Sequence, residues 1–123
     1  MKIVQVNFGT FKEYDVNNRF FNPNLAGGAL LDIGVYAVGF ERWFMSSKPN
    51  TVLTTMTPFG TGVDESSGIL LQNKGIEIAM ISLTMRAKQP KEALWLAKTD
   101  ILGCIIFLEL KRRQSHIQVM DIR

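Results

Sequence analysis

The segment Ala29–Phe44 constrains this chain more than any other. Leu30, Leu31, Ile33, Val35, Val38, Phe40, Trp43 and Phe44 place apolar side chains on more than one face of a helix. A helix of that kind is buried on most sides, or lies between its own sheet and another domain. The run Ser46-Ser47-Lys48-Pro49 ends it, because proline disfavours helical geometry in the residue before it. Gly27 and Gly28 mark its start. Glycine tolerates a sharp turn there and leaves the first backbone N–H groups uncovered for a ligand. Gly28 is on that ground a candidate substrate-binding residue.

The remainder reads as strands. Ile3–Phe8 is short and rich in β-branched residues. Gly9–Asn24 is a polar loop, yet it holds Phe11, Tyr14, Phe20 and Phe21, whose rings must be covered by the fold or by a partner. After the helix come a strand over Thr51–Thr57, a turn at Pro58–Gly62, and a strand over Glu65–Gln72. The tight-turn signal Asn73-Lys74-Gly75 then leads into a strand that begins around Glu77 and runs to Met85, the clearest hairpin in the chain. Arg86–Lys91, with Pro90, reads as loop. Further strands are expected at Ala93–Ala97, Cys104–Phe107 and Ser115–Met120. One early helix followed by strands with short turns predicts an α+β domain, a mostly antiparallel open sheet with one principal helix on one face. No βαβ alternation and no Gly-x-Gly-x-x-Gly occurs, so no dinucleotide fold is expected within these residues.

Composition narrows the function. The 123 residues suffice for one domain, 1–123, with 46% hydrophobic and 20% charged residues, as in soluble globular proteins. The net charge of +3 is spread out, and its densest run, Lys111-Arg112-Arg113, reads as a solvated turn, so no nucleic-acid partner is expected. One cysteine, Cys104, reads as a small buried hydrophobe, and with one histidine, His116, no metal cluster is expected. The N-terminus lacks an apolar signal region and the run Ile101–Leu108 is far short of a membrane span. A cytoplasmic protein without membrane contacts is the expectation.

Asp32 and Tyr36 are the residues that could carry chemistry. At spacing i, i+4 they share one helical face. A tyrosine hydroxyl acts as general acid or base when a neighbouring cation lowers its pKa from about 10, whereas a carboxylate alone pushes the other way. The pair therefore needs a cation from elsewhere. The structural alternative stands beside this: an Asp in the first turn favoured by the helix dipole, and an amphipathic core Tyr. Arg19, with Phe20 and Phe21, either lines a small-molecule pocket at the helix start or is a surface arginine stacked on a ring. Asp64-Glu65 either binds a polyol hydroxyl or is a solvated strand entry. Trp43 and Phe44 are expected in the core.

The stretch Asn18-Arg19-Phe20-Phe21-Asn22-Pro23-Asn24-Leu25-Ala26-Gly27-Gly28-Ala29-Leu30-Leu31-Asp32-Ile33-Gly34-Val35-Tyr36 resembles the entry to the C-terminal domain of the Gfo/Idh/MocA oxidoreductases, nearest to the dihydrodiol and xylose dehydrogenase branch. The likeness continues through Lys48-Pro49, Thr61–Glu65 and Asn73-Lys74-Gly75. It implies Tyr36 as the catalytic acid/base and Asp32 as its partner, with Arg19, Phe21 and Gly28 around a carbohydrate-like substrate. It also implies NAD(P) for the parent enzyme, held by a separate Rossmann domain, with no cofactor in this chain. A homo-oligomer through the open sheet face is implied as well. The family's lysine from a Glu-Lys-Pro motif has no match, because Lys48-Pro49 and Lys91 lack its context. Lys98–Gly103 departs from the family's Gly-Thr-x-Gly turn. The chain is therefore expected to be a truncated domain, inactive alone. The competing expectation is a stand-alone, non-catalytic binding or assembly module.

Overall fold

The structure is a computed structural model that describes residues 2–74, 76–96, 101–109 and 115–120; for Pro90, Lys91 and the last two stretches it describes strand backbone alone. The expectations for Lys98–Asp100 and Lys111–Arg113, and for the side chains of Cys104 and His116, lie outside the described residues.

Among the described residues seven strands form one sheet: β1 (Ile3–Gly9), β2 (Thr51–Pro58), β3 (Asp64–Gln72), β4 (Ile78–Thr84), β5 (Gln89–Leu96), β6 (Ile101–Glu109) and β7 (Ser115–Met120). Their order is β2-β3-β4-β1-β5-β6-β7. The β1–β4 pair is parallel and every other pair antiparallel, so the sheet is mixed but mostly antiparallel. Short turns explain the antiparallel pairs. The one parallel pair arises because the chain leaves β1, builds the helix, and returns through the β2–β3–β4 meander to lie beside it.

Alternation sets the two faces. Val4 and Val6 of β1 pair with Ala79 and Ile81 of β4, and all four are buried. Gln5, Met80 and Leu70 occupy the opposite face in register. The helix α1 (Val35–Phe44) lies against β1 and β4 on the first face. Its buried stripe is Ala29, Ile33, Ala37, Glu41 and Met45, one residue every fourth position. Small residues bring it close to the sheet: a Cβ on Gly34 would press on Leu83 Cδ1. At the far end Phe44 stacks on Trp95 of β5 at 4.5 Å between ring centroids, with Phe40 beside both.

Three sequence expectations change. Pro90 and Lys91 are not loop but part of β5, which begins at Gln89. They sit where the β1–β5 register shifts between Asn7 and Gly9, and a proline is tolerated in a strand at such an irregularity. Trp43 is not core: it is 88% exposed, on the side of α1 away from the sheet. The helix is apolar on several faces, but one face is covered by the sheet, and Leu31, Val35, Tyr36 and Trp43 face outward.

Candidate functional site

The helix changes register close to its start. Leu30–Gly34 forms a π turn, and the α-helix follows from Val35. Single π turns recur at functional sites, because one extra residue per turn re-aims the side chains it carries. Asp32 is the residue re-aimed here. Its carboxylate is 14% exposed and pairs with Lys12 through one oxygen (Nζ to Oδ2, 3.5 Å) and with Arg19 through the other (Nη2 to Oδ1, 3.6 Å).

Lys12 has no sequence signal, being an ordinary lysine in a polar loop, yet it is firmly placed. Its N–H donates to the Met85 carbonyl at 2.8 Å, and its own carbonyl accepts from Arg86 Nη1 at 2.8 Å. Its ammonium lies 3.1 Å from the centroid of the Phe20 ring, and the Arg19 guanidinium lies 4.2 Å from the same ring. Two cations and one carboxylate leave this corner with net positive charge. One of the two cations paired with Asp32, Lys12, comes from a distant part of the chain. A search for charges by sequence proximity cannot find it, because Lys12 and Asp32 meet through the return of the loop over β4.

Tyr36 is 67% exposed, one turn along from Asp32. Asp32 thus faces the loop and Tyr36 faces outward, side by side with Leu31 and Val35. Arg19 is well exposed beyond its pairing with Asp32. Phe21 presents no surface to a ligand. It is fully buried, edge-on to Phe59 at 4.5 Å and tilted against Tyr14 at 5.2 Å, and it anchors the loop instead of lining a pocket.

The glycine N–H groups are also engaged. Gly27 N–H donates to the Asn22 carbonyl and Gly28 N–H to the Phe20 carbonyl, at 3.0 and 2.8 Å. Leu30 N–H donates to Asp64 Oδ2 at 2.8 Å. A dinucleotide phosphate at this helix start needs those donors. These three are engaged inside the protein. Asp64, a candidate for polyol binding by sequence, turns its carboxylate to the helix start and to Ser67.

At the other end of α1, Glu77 Oε2 accepts from Ser46 N–H (2.9 Å), Ser46 Oγ (2.8 Å) and Asn73 Nδ2 (2.6 Å). Burial raises the Glu77 pKa, but the donors from Ser46 and Asn73 outweigh it and hold the carboxyl below its ordinary range. Glu41 is 0% exposed, and neither of its carboxylate oxygens has a hydrogen-bond partner. Desolvation pushes its pKa up, against a smaller opposing pull from Arg42.

Among the shallow depressions on the open face of the sheet, two lie over β2, β3 and β4. One, of about 370 Å³, is lined by hydroxyls of Thr55, Thr57, Ser66, Ser82 and Thr84; the other, of about 400 Å³, is more apolar, with Leu53, Leu70 and Met80. Neither includes Asp32 or Tyr36. Among the described residues no cluster of three or more His, Cys, Asp or Glu side chains is placed to hold a metal ion, and no helix is long and apolar enough to cross a membrane.

The described residues form an α+β domain with a mixed open sheet and one principal helix, and Asp32 and Tyr36 stand near the start of that helix. Residues 1–103 match the family model described as the GFO/IDH/MocA C-terminal domain, and the chain belongs to that family. It is 38% identical over 94 residues to a trans-1,2-dihydrobenzene-1,2-diol dehydrogenase of Xenopus tropicalis, covering 76% of this chain and 28% of that protein. A D-xylose 1-dehydrogenase (NADP(+)) of Hypocrea jecorina is 33% identical over 84 residues, covering 62% of this chain and 22% of its own length. The chain thus spans about a quarter of these relatives. In fold it is similar to a 3-ketoreductase of Actinomadura kijaniata solved with NADP and TDP-benzene. That similarity has a TM-score of 0.73 at 16% identity, over 98% of this chain and 40% of the other.

Proposed function

We propose that this chain is the substrate-binding and oligomerisation domain of an NAD(P)-dependent oxidoreductase that acts on a sugar, polyol or dihydrodiol. The observation that carries the reading is the corner at the π turn. Asp32 is held on both oxygens by Lys12 and Arg19, and Tyr36 stands exposed one turn along, on a helix face whose Leu31, Val35 and Trp43 are uncovered. An apolar helix face beside a polar working group suits closure by a second domain. In this reading Tyr36 Oη takes or returns the proton of a substrate hydroxyl. Asp32 orients that hydroxyl or the phenol, and Arg19 lines the entrance together with the backbone at Gly28. Phe21 supports the pocket from behind. NAD(P) belongs to the parent enzyme and supplies its redox chemistry; no residue of this chain is assigned to hold it.

The reading further places the protein in the cytoplasm, as a homo-oligomer that covers the open sheet face, and makes residues 1–123 inactive by themselves. The test is titration of the purified chain with NADPH and NADH, followed by fluorescence. No binding below millimolar concentration is expected, and micromolar binding would overturn the assignment of the cofactor to another domain. In a parent enzyme carrying this domain, Tyr36→Phe should lower kcat by roughly 10²- to 10⁴-fold. A non-catalytic assembly module remains the rival reading, and it predicts no loss on that substitution.

A further inference from the structure

The helix that carries Asp32 and Tyr36 starts with Gly27-Gly28-Ala29, a sequence with no capping side chain. Ala29, at the capping position, makes no side-chain hydrogen bond. A helix start leaves N–H groups unpaired and concentrates positive charge, and a Ser, Thr, Asn or Asp usually answers both. Here the acceptor is imported. Asp64, 34 residues away in sequence, accepts from Leu30 N–H at 2.8 Å.

Both glycines make room for this arrangement. Gly28 has φ +106°, and a Cβ there would collide with Asp64 Oδ1. A Cβ on Gly27 would strike the backbone of Arg19, Phe20 and Asn22. The Gly-Gly pair is thus pressed between the loop that carries Arg19 and the carboxylate that comes from β3.

Asp64 is itself fixed. Ser67 Oγ donates to the same oxygen at 2.7 Å. The hairpin loop before it is closed by Phe59 N–H to the Val63 carbonyl at 2.8 Å, and Phe59 and Val63 are both buried. A local cap would tie the helix start only to the residues beside it. An imported cap ties it to the sheet, and so sets where the π turn stands relative to Lys12 and Arg19.

We propose that Asp64 is a positioning residue of the Asp32–Tyr36 site: its carboxylate holds the π turn in the register that delivers Asp32 to Lys12 and Arg19. The assignment rests on the proposed role of Asp32 and Tyr36, but its test reads geometry and needs neither cofactor nor turnover. Failure here therefore leaves the oxidoreductase reading standing, and failure of that reading leaves this one measurable.

The experiment is NMR on the full chain, wild type against Asp64→Ala, Asp64→Asn and Ser67→Ala. Two signals are followed. The first is exchange of the Leu30 amide, expected to quicken roughly 10- to 100-fold in Asp64→Ala for loss of a hydrogen bond to a charged acceptor. The second is the ring-current shift that Phe20 imposes on the Lys12 side chain, expected to collapse in Asp64→Ala and to be restored by Asn, whose carbonyl oxygen accepts the same bonds. Faster Leu30 exchange with an unmoved Lys12 signal would make Asp64 a simple helix cap and overturn the proposal. Should the Ala variant fail to fold, Ser67→Ala decides. Both signals should move part of the way in the same direction, and their constancy overturns the proposal equally.

Discussion

Glu41 is the residue most at odds with its surroundings. It sits at the fourth position of a five-residue buried stripe otherwise made of Ala, Ile, Ala and Met, with no hydrogen-bond partner. Its pKa is raised by burial, so the folded state holds its proton more tightly than the unfolded state does. The part of its cost that depends on charge is absent at and below the unfolded value of 4.5 and is incurred as pH rises from there through the folded value. Glu41→Met should therefore raise stability by about 1–3 kcal/mol at pH 8 and by less at pH 5, measured by urea denaturation at the two pH values. Equal gains at both would show that the carboxyl does not titrate in this way.

Ile76 is a second strained residue. It is a β-branched residue at φ +63° in the loop between β3 and β4, with 63% of its surface exposed. Such a conformation costs roughly 1–2 kcal/mol for a side chain with a Cβ. Ile76→Gly, which loses little packing there, is expected to raise the melting temperature. A lower melting temperature would mean that the Ile side chain contributes more than its exposure implies.

At the scale of elements, α1 is held by groups that lie outside it. Asp64 meets its start. Glu77 and Asn73, from the β3–β4 loop, meet its end through Ser46. The Glu77 carboxyl has a lowered pKa despite burial, because three donors converge on it. Its contribution is fully present above the unfolded value of 4.5 and is lost as pH falls through the folded value. Glu77→Gln should cost about 1–3 kcal/mol at pH 7 and flatten the acid limb of the stability–pH profile. An unchanged acid limb would remove Glu77 from the account of acid sensitivity.

These elements show how far the sequence could be read. The helix over Ala29–Phe44 and the hairpin around Asn73 were legible because periodicity and turn chemistry are local. The π turn was not. It depends on an acceptor 34 residues away, and α and π hydrogen-bonding differ by one residue of register that side-chain spacing alone does not specify. Asp32 and Tyr36 were found by spacing, but the i, i+4 rule that joined them assumes an unbroken α-helix. The start of β5 was missed because Pro90 normally argues against a strand, and here the register shift beside Gly9 accommodates it.

For the whole molecule, the open face of the sheet presents an uncovered apolar row. Leu53, Leu70 and Met80 lie in register across β2, β3 and β4, and each is exposed. An apolar row of this kind on one sheet face suits a cover by a second copy. In sedimentation velocity the chain is expected to run as a dimer at tens of micromolar, and Met80→Glu, which sets a charge in that row, should return it to a monomer. A wild-type monomer at that concentration would leave the face to a different cover.

The sequence by itself determined most of the elements, the α+β class, and the spacing of Asp32 and Tyr36 after a Gly-Gly helix start, because each is written in residues close together along the chain. The tertiary structure alone decided that Lys12 joins Arg19 on Asp32, that Phe21 belongs to the core and Trp43 to the surface, and that Asp64 caps the helix start. Those outcomes depend on which distant backbone segments lie within hydrogen-bond or ion-pair reach. That reach is set by the crossing of the helix over β1 and β4 and by the return of the β2–β3 hairpin. No local spacing encodes it.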